Sequence, residues 1–329
     1  MKVLVSGGAG YIGSHAAKVL RRSGHETVLL DDLRAGHGQA ALGAPLVRAA
    51  THDRQLVVRT LREYSVEAVM HFAACCYVGE SVEQPALYYR NNVAGTLSLA
   101  EACVEAGVWN FVLSSTAATY GQPEVNPIGE DTPRSPVNPY GRTKVICEDL
   151  LTDIAAATRL RPVFLRYFNA AGADPDGELG EDHTPETHII PNAILAALGR
   201  TGGLKIFGGD YDTRDGTCVR DYVHVMDLAS AHLKALEFAA GGGKCRAFNL
   251  GNGSGFTVKE VVDMVRDVSG REFKVEMVAR RAGDPATLVA SSDRARRELG
   301  WEPRFADLRV IVATAYRWLE AHPSGYGDA

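Results

Sequence analysis

The sequence lacks the features that mark membrane-embedded, secreted and nucleic-acid-binding proteins. Its 329 residues contain no run of roughly 18 or more apolar side chains and no N-terminal targeting segment. The net charge is only −5, from 35 basic and 40 acidic side chains, so charge suggests neither a nucleic-acid nor a membrane partner. We therefore predict a cytoplasmic protein.

Motifs for metal ions and reactive cysteine pairs are also missing. The ten histidines show neither H-E-x-x-H nor H-x-x-E-H spacing, so no metal site is predicted. None of the six cysteines forms a C-x-x-C pair, and five lie in apolar runs, which predicts buried free thiols in a reducing compartment. A redox role for the adjacent Cys75 and Cys76 is the alternative.

A glycine-rich loop lies between the first predicted strand and the first predicted helix. The strand is expected from Lys2 to Ser6, and the helix continues to about Arg22. Glycines permit a tight turn and allow backbone N–H groups to approach a pyrophosphate at the helix N-terminus. The loop residues expected to contact a dinucleotide are Gly7, Gly10, Tyr11, Ile12 and Gly13.

The second predicted strand, Glu26 to Leu30, is followed by two aspartates that indicate which dinucleotide binds. Asp31 lies 18 positions after Gly13 (31 − 13), where a carboxylate accepts a hydrogen bond from the adenosine ribose. Asp32 follows it. A 2′-phosphate would be repelled there, which favours NAD over NADP, although Arg34 would weaken that preference. The competing interpretation is that Asp31 is a simple turn residue.

Strands and helices continue to alternate, which predicts a doubly wound parallel sheet of the Rossmann type. Further strands are expected at Ala68–Phe72, Phe111–Ser115 and Pro162–Arg166, and helices at His52–Tyr64, Pro85–Ala106 and from Tyr140 onward. Ligands bind beyond the carboxyl ends of such strands. The residues at those ends are Phe72, Ala73 and Ala74, then Ser114, Ser115 and Thr116, then Tyr167, Phe168 and Asn169.

The segment from Tyr140 to Lys144 carries the predicted chemistry. Asn138-Pro139 signals the start of a helix, and positions four apart lie on one helix face, so the phenol and the ammonium can converge. A nearby cation favours the phenolate and lowers the pKa of Tyr140, which would make it a general base. Tyr-x-x-x-Lys also occurs by chance on exposed helices, so the motif needs the rest of the chain as support.

The regular alternation ends after Gly172 and predicts a second, smaller lobe of mixed structure. A polar loop spans about residues 174–187, and later elements are expected near Pro191–Leu198, Leu204–Phe207, Val223–Ala239, Ala247–Leu250, after Thr257 and at Leu308–Ala321. We predict an NAD-binding domain at residues 1–172 plus about 223–252. The substrate-binding lobe would comprise about 173–222 and 253–329.

Taken together, these motifs resemble the extended short-chain dehydrogenase/reductase superfamily, and more narrowly the UDP-glucose 4-epimerases. The superfamily resemblance rests on Gly7-x-x-Gly10-x-x-Gly13, Asp31, Ser114-Ser-Thr116 and Tyr140-x-x-x-Lys144. The narrower one rests on His71-Phe-Ala-Ala, Val78-Gly-Glu-Ser81, Tyr167-Phe-Asn-Ala-Ala-Gly172, Val219-Arg-Asp-Tyr-Val-His-Val-Met-Asp227 and Arg280-Arg-Ala-Gly-Asp284. The similarity extends over nearly the whole chain.

The resemblance implies an isomerase that retains NAD, oxidises carbon 4 of a UDP-hexose and returns hydride to the other face of a 4-keto sugar. Tyr140 would be the acid and base, Lys144 would depress its pKa, and Thr116 would hold the 4-hydroxyl. Asn92, Tyr167 and Phe168 would belong to the cofactor pocket. The resemblance also implies a homodimer that pairs the helices carrying Asn91 and Tyr140.

The resemblance further assigns residues to the UDP-sugar. Two arginines suit a diphosphate because a guanidinium binds phosphate oxygens bidentately. Leu288 aligns with a gate residue whose size governs access of an N-acetyl arm to the sugar site, with Thr287 as the alternative. The assigned residues are Thr116, Asn169, His188, Phe207, Arg220, Tyr222, Arg281, Asp284 and Leu288.

The chain departs from the family pattern at four places. Thr116 replaces a common serine and keeps the hydroxyl, and His188 replaces an asparagine of some members. Cys75-Cys76-Tyr77 replaces a segment that in some members supplies a lysine to the cofactor. Thr51-His52-Asp53 fits the adenine-contacting pattern only with a shift. NAD contacts at these last two segments are therefore left open.

Other functions compatible with the same fold remain as alternatives. An epimerase could act mainly on a UDP-N-acetylhexosamine or a UDP-pentose, because pockets discriminate single small groups only modestly. A 4,6-dehydratase would need acid and base residues after the catalytic hydroxyl, where this chain has Ala117-Ala118. A non-catalytic nucleotide sensor would be expected to break the pair Tyr140 and Lys144, which is intact.

Overall fold

The computed structural model describes residues 1–281 and 284–327. Its strands are β1 (Lys2–Ser6), β2 (Glu26–Asp31), β3 (Leu46–Arg48), β4 (Ala68–His71), β5 (Asn110–Ser114), β6 (Arg161–Tyr167), β7 (Asn169–Ala171), β8 (Leu204–Phe207), β9 (Val219–Arg220), β10 (Tyr222–His224), β11 (Arg246–Leu250), β12 (Phe256–Thr257), β13 (Val275–Val278) and β14 (Thr287–Leu288).

The helices separate these strands. They are α1 (Tyr11–Arg22), α2 (Arg54–Glu63), α3 (Val78–Glu83), α4 (Pro85–Tyr88), α5 (Gly95–Ala106), α6 (Pro139–Ala157), α7 (Ile189–Ala197), α8 (Val225–Ala240), α9 (Val258–Ser269), α10 (Asp293–Leu299) and α11 (Leu308–Ala321). A π-helical turn, Tyr89–Ala94, joins α4 to α5. Single 3-10 turns occur at Gly38–Ala41 and Ala117–Tyr120.

Seven strands form one sheet in the order β3-β2-β1-β4-β5-β6-β11, and every neighbouring pair is parallel. The predicted doubly wound sheet is thereby confirmed. The strand order reverses between β1 and β4, and the crevice beyond the carboxyl ends of these two strands is where this class of fold binds ligands.

Both faces of the sheet are covered by helices, as its continuous apolar strands require. Residues of α1 and α8, such as Leu20 and Leu228, pack with Val3 and Val5 on one face. The other face packs Leu4 and its neighbours against α2, α5 and α6. Because β11 and α8 belong to this sheet although they come late in the chain, the chain leaves the sheet after β6 and returns to it.

A separate apolar core lies in the second part of the molecule. There α7, α9 and α11 pack around residues such as Ile194, Val261 and Ile311. Short strands surround it in three small sheets, β10-β7, β12-β9-β14 and β13-β8. One later helix, α10, instead packs onto the core of the large sheet through Ala295 and Leu299.

Several predicted elements need correction. Val223 and His224 end strand β10, and the helix begins only at Val225, with the His224 side chain accepting from the backbone of Met226. Helix α2 begins at Arg54 because the Asp53 carboxylate caps it by accepting from Leu56 N. The capping bond uses one carboxylate oxygen of Asp53, so its shifted match to an adenine-contacting aspartate stays a prediction.

The structure also bears on the predictions about the cysteines and about membrane-spanning helices. All six cysteines are free, and Cys103, Cys147 and Cys218 are buried as predicted. Cys76 is exposed, which contradicts that prediction, because it follows β4 at the open carboxyl edge of the sheet. Within the described ranges, no helix combines the length and the apolar character needed to cross a bilayer.

Candidate active site

The glycine loop fits closely against the end of β4. Gly7 adopts φ +72°, and a Cβ at this position would lie 2.5 Å from the backbone nitrogen of Ala73. A Cβ on Gly13 would overlap the carbonyl oxygen of Gly7. Gly10 caps α1 without a side-chain hydrogen bond, so N–H groups of the first turn remain available to phosphate oxygens. The loop therefore has the shape that a pyrophosphate requires.

Asp31 holds this loop through hydrogen bonds to the backbone. Its carboxylate accepts from Ala9 N at 3.0 Å and from Leu33 N at 2.9 Å. Burial raises the pKa of Asp31, and these backbone hydrogen bonds oppose that shift. Each carboxylate oxygen keeps a lone pair after accepting one bond, so the group can still receive a ribose hydroxyl.

The polar residues next to this loop form hydrogen bonds with other residues of the chain. Asp32 accepts from Arg34 N at 3.1 Å, and the Arg34 guanidinium donates to Asn91 Oδ1 at 2.7 Å. Tyr11 donates its hydroxyl to the backbone oxygen of Gly172 at 2.6 Å. These contacts connect the loop after β2 to the π-helical turn, and the first turn of α1 to the segment after β7.

Asn92 ties the loop after β4 to the helix that carries Tyr140. Its amide exchanges hydrogen bonds of 2.8 and 3.0 Å with the backbone of Cys75 and donates to Thr143 Oγ1 at 3.1 Å. The π-helical turn places Asn92 at this buried position. The side chain thus shapes the cofactor crevice through Cys75, a role that the expected placement in the cofactor pocket did not specify.

Tyr140 and Thr116 converge as the sequence predicts, but the pKa of Tyr140 moves opposite to expectation. The Thr116 hydroxyl interacts with the Tyr140 phenol and favours the phenolate. Burial dominates and raises the pKa of Tyr140 well above its ordinary value near 10. The expected lowered pKa of Tyr140 is therefore not found in the protein by itself, because burial raises this pKa more than the favourable interaction with Thr116 lowers it.

Lys144 is directed instead to the end of β5. Its ammonium donates to the backbone oxygen of Ser114 at 2.8 Å, and burial lowers the pKa of Lys144. The hydroxyl of Ser114 bonds to that of Tyr167, whose ring is buried at the end of β6. Ser114, Lys144 and Tyr167 are therefore linked side by side along one edge of the sheet.

A buried ion pair under α6 was not predicted from the sequence. Glu148 is only 1% exposed. Its carboxylate accepts hydrogen bonds from Arg166 Nε at 2.9 Å and from Arg166 Nη2 at 2.5 Å. Ser115 also donates to Glu148, at 2.6 Å. The pair joins α6, the helix that carries Tyr140, to β6. No sequence signal distinguishes these two charges from solvated ones.

A pocket of about 360 Å³ opens in the second part of the molecule. That volume lies within the roughly 300–1,000 Å³ typical of small-molecule sites. It is lined by seven of the nine residues assigned to the UDP-sugar, namely Asn169, His188, Phe207, Arg220, Tyr222, Arg281 and Asp284. Asn192 and Lys205 also line it, and no motif had pointed to either.

The cations and the aromatic ring in this pocket are held by one another and by backbone oxygens. Arg281 lies over the ring of Phe207, with its Cζ 3.9 Å from the ring centroid. Arg220 donates to the backbone oxygens of Val219 and Pro285, both at 2.9 Å, and pairs with Asp284 at 3.3 Å. Ala282 and Gly283 of the same motif lie outside the described residues.

Leu288 lies away from that lining, beside the residues that follow Thr116. It is partly buried against Ala117, Tyr120 and Ile128, together with Phe168. Strand β14 pairs with β9 so that Leu288 stands opposite Arg220. Leu288 therefore packs beside Ala117, the residue that follows Thr116, and lies outside the pocket lining.

The segment before α7 places charged residues around His188, and sequence analysis missed three of them, Glu181, His183 and Glu186. His188 Nδ1 lies 2.8 Å from Glu181 Oε1 and 2.9 Å from Glu186 Oε1. His183 Nδ1 lies 3.1 Å from the same oxygen of Glu181. The sequence of this segment is typical of a polar surface loop, so it did not indicate that these acidic residues would be buried.

The chain matches known proteins over almost its full length. A family model described as the NAD dependent epimerase/dehydratase family matches residues 3–251. The chain is 52% identical over 316 residues to the UDP-glucose 4-epimerase of Rhizobium meliloti (strain 1021), and the match covers 96% of each chain.

Two solved structures extend the comparison to three dimensions. A UDP-glucose 4-epimerase from Brucella ovis in complex with NAD is 51% identical, with a TM-score of 0.94 over 96% of this chain and 97% of that one. A UDP-glucose-4-epimerase from Stenotrophomonas maltophila with bound NAD and formylated UDP-arabinopyranose is 38% identical, with a TM-score of 0.95 over 98% and 99%.

Proposed function

Because the chain belongs to the NAD dependent epimerase/dehydratase family, and within it to the UDP-glucose 4-epimerases, we propose that it interconverts UDP-glucose and UDP-galactose through a 4-keto sugar. The observation that carries the proposal is the interaction of the Thr116 hydroxyl with the Tyr140 phenol, which favours the phenolate. Thr116 follows the end of β5 and Tyr140 lies in the first turn of α6, so the pair is at the carboxyl edge of the sheet. The pocket that contains Arg220 and Arg281 is lined by Asn169, two residues after the end of β6 at the same edge.

The cofactor is NAD, and the loop after β1 fits its pyrophosphate. When bound, NAD supplies the nicotinamide ring that takes hydride from carbon 4 of the sugar and returns it. Gly7, Gly10, Tyr11, Ile12 and Gly13 would hold the pyrophosphate, with Asp31 and Asp32 at the adenosine ribose. The remaining residues that we assign to the cofactor are Phe72, Ala73, Ala74, Asn92, Ser114, Tyr140, Lys144, Tyr167 and Phe168.

Tyr140 moves the proton and Thr116 orients the sugar hydroxyl. With its pKa well above neutrality, Tyr140 is protonated in the protein by itself and is ready to donate to an oxygen at carbon 4. To accept a proton it needs positive charge nearby, and Lys144 lies four positions along the same helix face. Thr116 hydrogen-bonds the sugar oxygen and holds it within reach of the Tyr140 hydroxyl.

The pocket in the second part of the molecule would receive UDP. Arg220, Arg281 and His188 bring positive charge to the diphosphate, and Phe207 with Asp284 would hold uracil and ribose. Asn169 and Tyr222 complete the wall. The residues from about 173–222 and 253–329 form the substrate lobe in this proposal, and residues 1–172 with about 223–252 form the NAD-binding domain.

We propose a cytoplasmic homodimer that pairs the helices around Asn91 and Tyr140. Support comes from Leu97 on α5, which is 42% exposed although it is large and apolar. Ile146 on α6 is also only partly buried. Apolar side chains left on the outer faces of two neighbouring helices are typical of residues that a second subunit covers.

The reaction is tested by supplying three nucleotide sugars separately and identifying the products. UDP-galactose, UDP-N-acetylgalactosamine and UDP-xylose are each incubated with the purified protein, and the 4-epimers are separated by chromatography. We expect UDP-glucose from UDP-galactose as the fastest conversion. A faster conversion of either other sugar would move the assignment to that sugar, and no epimer from any of them would refute epimerase activity.

A further inference from the structure

Residues 181–188 fold two glutamates around one histidine of the nucleotide pocket. Glu181 and Glu186 both place Oε1 within 2.9 Å of His188 Nδ1, at 2.8 and 2.9 Å. Glu186 also accepts from the backbone nitrogen of His188 at 2.7 Å, which fixes the orientation of the residue before α7 begins. One imidazole nitrogen thus lies between two carboxylates.

Burial makes this contact strong. The Glu181 side chain is 5% exposed and that of Glu186 is 10%, whereas His188 is 38% exposed towards the pocket. A charged hydrogen bond shielded from water is stronger than the same bond at the surface. The two buried glutamates therefore contact one side of the His188 ring, and the exposed part of the ring lines the pocket.

Groups on other elements also face His188, and some of them favour a positive charge on its ring whereas others oppose it. His183 lies with its ring centroid 5.5 Å away and contacts Glu181, and Cys76 approaches from the loop after β4. The N-terminus of α7 and the cations Arg220 and Arg281 across the pocket oppose a positive charge. The two adjacent carboxylates outweigh burial and raise the pKa of His188 to about 11.

We propose that Glu181 and Glu186 are positioning residues that keep His188 an imidazolium throughout the physiological pH range, so that it serves as a third fixed cation for the diphosphate. The inference rests on the proposed function of this pocket. His188 uses Nδ1 for the glutamates, and an imidazolium carries a second N–H, on Nε2, that can donate to a phosphate oxygen.

The proposal and simple charge repulsion predict opposite effects of removing the glutamates on diphosphate binding above about pH 6.5. If the glutamates only repelled the diphosphate, their removal would strengthen binding at every pH. If they hold the proton on His188, their removal lets this residue titrate near the ordinary histidine pKa of about 6.5. Binding would then stay strong at about pH 6 and weaken as the pH rises, because the imidazole loses its charge.

The test measures UDP-glucose affinity by calorimetry from about pH 6 to about pH 8.5. UDP-glucose is used because its diphosphate is a diester, whereas a terminal phosphate titrates near pH 6 and would obscure the result. All proteins carry Tyr140→Phe to suppress turnover, and EDTA is present so that stray divalent cations do not compete with protons. The variants are Glu181→Gln, Glu186→Gln, both together, and His188→Asn.

We expect a nearly constant dissociation constant for the parent across this range. For the double variant we expect affinity similar to the parent at about pH 6 and a loss of roughly tenfold to hundredfold by about pH 8.5, the size expected for a hydrogen bond to a charged group. The single variants should show the same trend more weakly. In a His188→Asn background the glutamine substitutions should have no such pH-dependent effect.

Glu178→Gln provides the matched control, because it removes one carboxylate from the same segment but pairs with Lys18 instead of His188. Two outcomes would overturn the proposal: affinity of the parent that falls through about pH 6.5, or glutamine variants that bind more tightly at every pH. Failure of the parent to bind UDP-glucose at any pH would refute the proposed function of the pocket, and is distinguishable from both. If the double variant does not fold, the single variants decide the question.

Discussion

The Tyr140 hydroxyl is the one atom on which the proposed proton transfer depends. Tyr140→Phe removes that oxygen and keeps the ring that contacts Tyr88. We expect turnover of UDP-galactose to fall at least about a hundredfold, the usual contribution of a positioned acid–base group. Bound NAD and the melting temperature should stay unchanged. A variant within about fivefold of the parent would remove Tyr140 from the mechanism.

We predict that the size of Leu288 governs which sugars fit. The side chain is half-buried against Phe168 and Ala117, so truncation opens space beside the residue that follows Thr116. Leu288→Ala should raise kcat/KM for UDP-N-acetylgalactosamine relative to UDP-galactose about tenfold, in line with the 1–3 kcal/mol that a fitted small group is worth. Leu288→Tyr should lower the ratio.

The neighbouring Thr287→Ala is the control for that measurement, because it tests the other alignment of the gate. Melting curves of all three variants separate a changed pocket from a loosened one. A ratio that stays within about twofold for both Leu288 variants would mean that another residue lines the sugar site.

Motifs predicted which individual residues meet in the site, but not their electrostatics. Tyr140 and Thr116 were placed together correctly because helix periodicity and strand ends fix their positions. The direction of the Tyr140 pKa was wrong, because desolvation depends on packing that one sequence does not reveal. Glu181 and Glu186 were missed for a similar reason, since a polar loop gives no sign of which acids turn inward.

The glycine loop tolerates side chains at some of its positions and not at others. Gly13→Ala would drive a Cβ into the carbonyl oxygen of Gly7, so the backbone of the loop must shift. We expect a loss of about 1–3 kcal/mol in the free energy of unfolding, typical of overpacking, together with a lower NAD content in the purified protein. Both are measured on one preparation, by urea titration and by assay of the nucleotide released on denaturation.

Gly10→Ala is the matched control within the same loop. A Cβ there meets no atom closer than 3.4 Å, an ordinary contact, so the unfolding free energy should remain near that of the parent. Equal destabilisation by the two alanines would contradict the packing described for Gly13.

Helix α6 depends on its buried ion pair for its position. Glu148→Ala leaves Arg166 charged and without its partner in the core, which should cost about 3–5 kcal/mol in unfolding free energy. Asp149→Ala is the control on the same helix. Its carboxylate is 54% exposed and pairs with Arg134, so the cost should stay below about 1 kcal/mol. Similar losses of unfolding free energy in both variants would show that the buried ion pair contributes no more to stability than the exposed one.

The predictability of each element follows its length and regularity. The six strands β1, β2, β4, β5, β6 and β11 were located within one or two residues, because buried parallel strands are continuous apolar runs. Short strands such as β9, β12 and β14 have two residues each and leave no periodic signal. The π-helical turn at Tyr89–Ala94 was invisible for the same reason, because it continues the helical pattern on both sides.

Assembly can be tested with a single charge. Leu97→Glu places a carboxylate on the outer face of α5, where the proposed second subunit would bury it at high cost. Sedimentation equilibrium should show a change from twice the 35.3 kDa chain mass to the mass of one chain. Val310→Glu, on the exposed face of α11, is the control and should leave the mass unchanged. A parent that sediments as a monomer would contradict the dimer.

The late return of β11 to the sheet has a consequence for biosynthesis. Strand β6 ends at Tyr167 and its neighbour β11 begins at Arg246, so about 80 residues are translated between the two. At about 5–20 residues per second, the ribosome needs roughly 4–16 s for that stretch. During this interval β6 is an open sheet edge of the kind that recruits other chains. The nascent protein therefore has a period, set by translation speed, in which chaperones compete with aggregation for one strand.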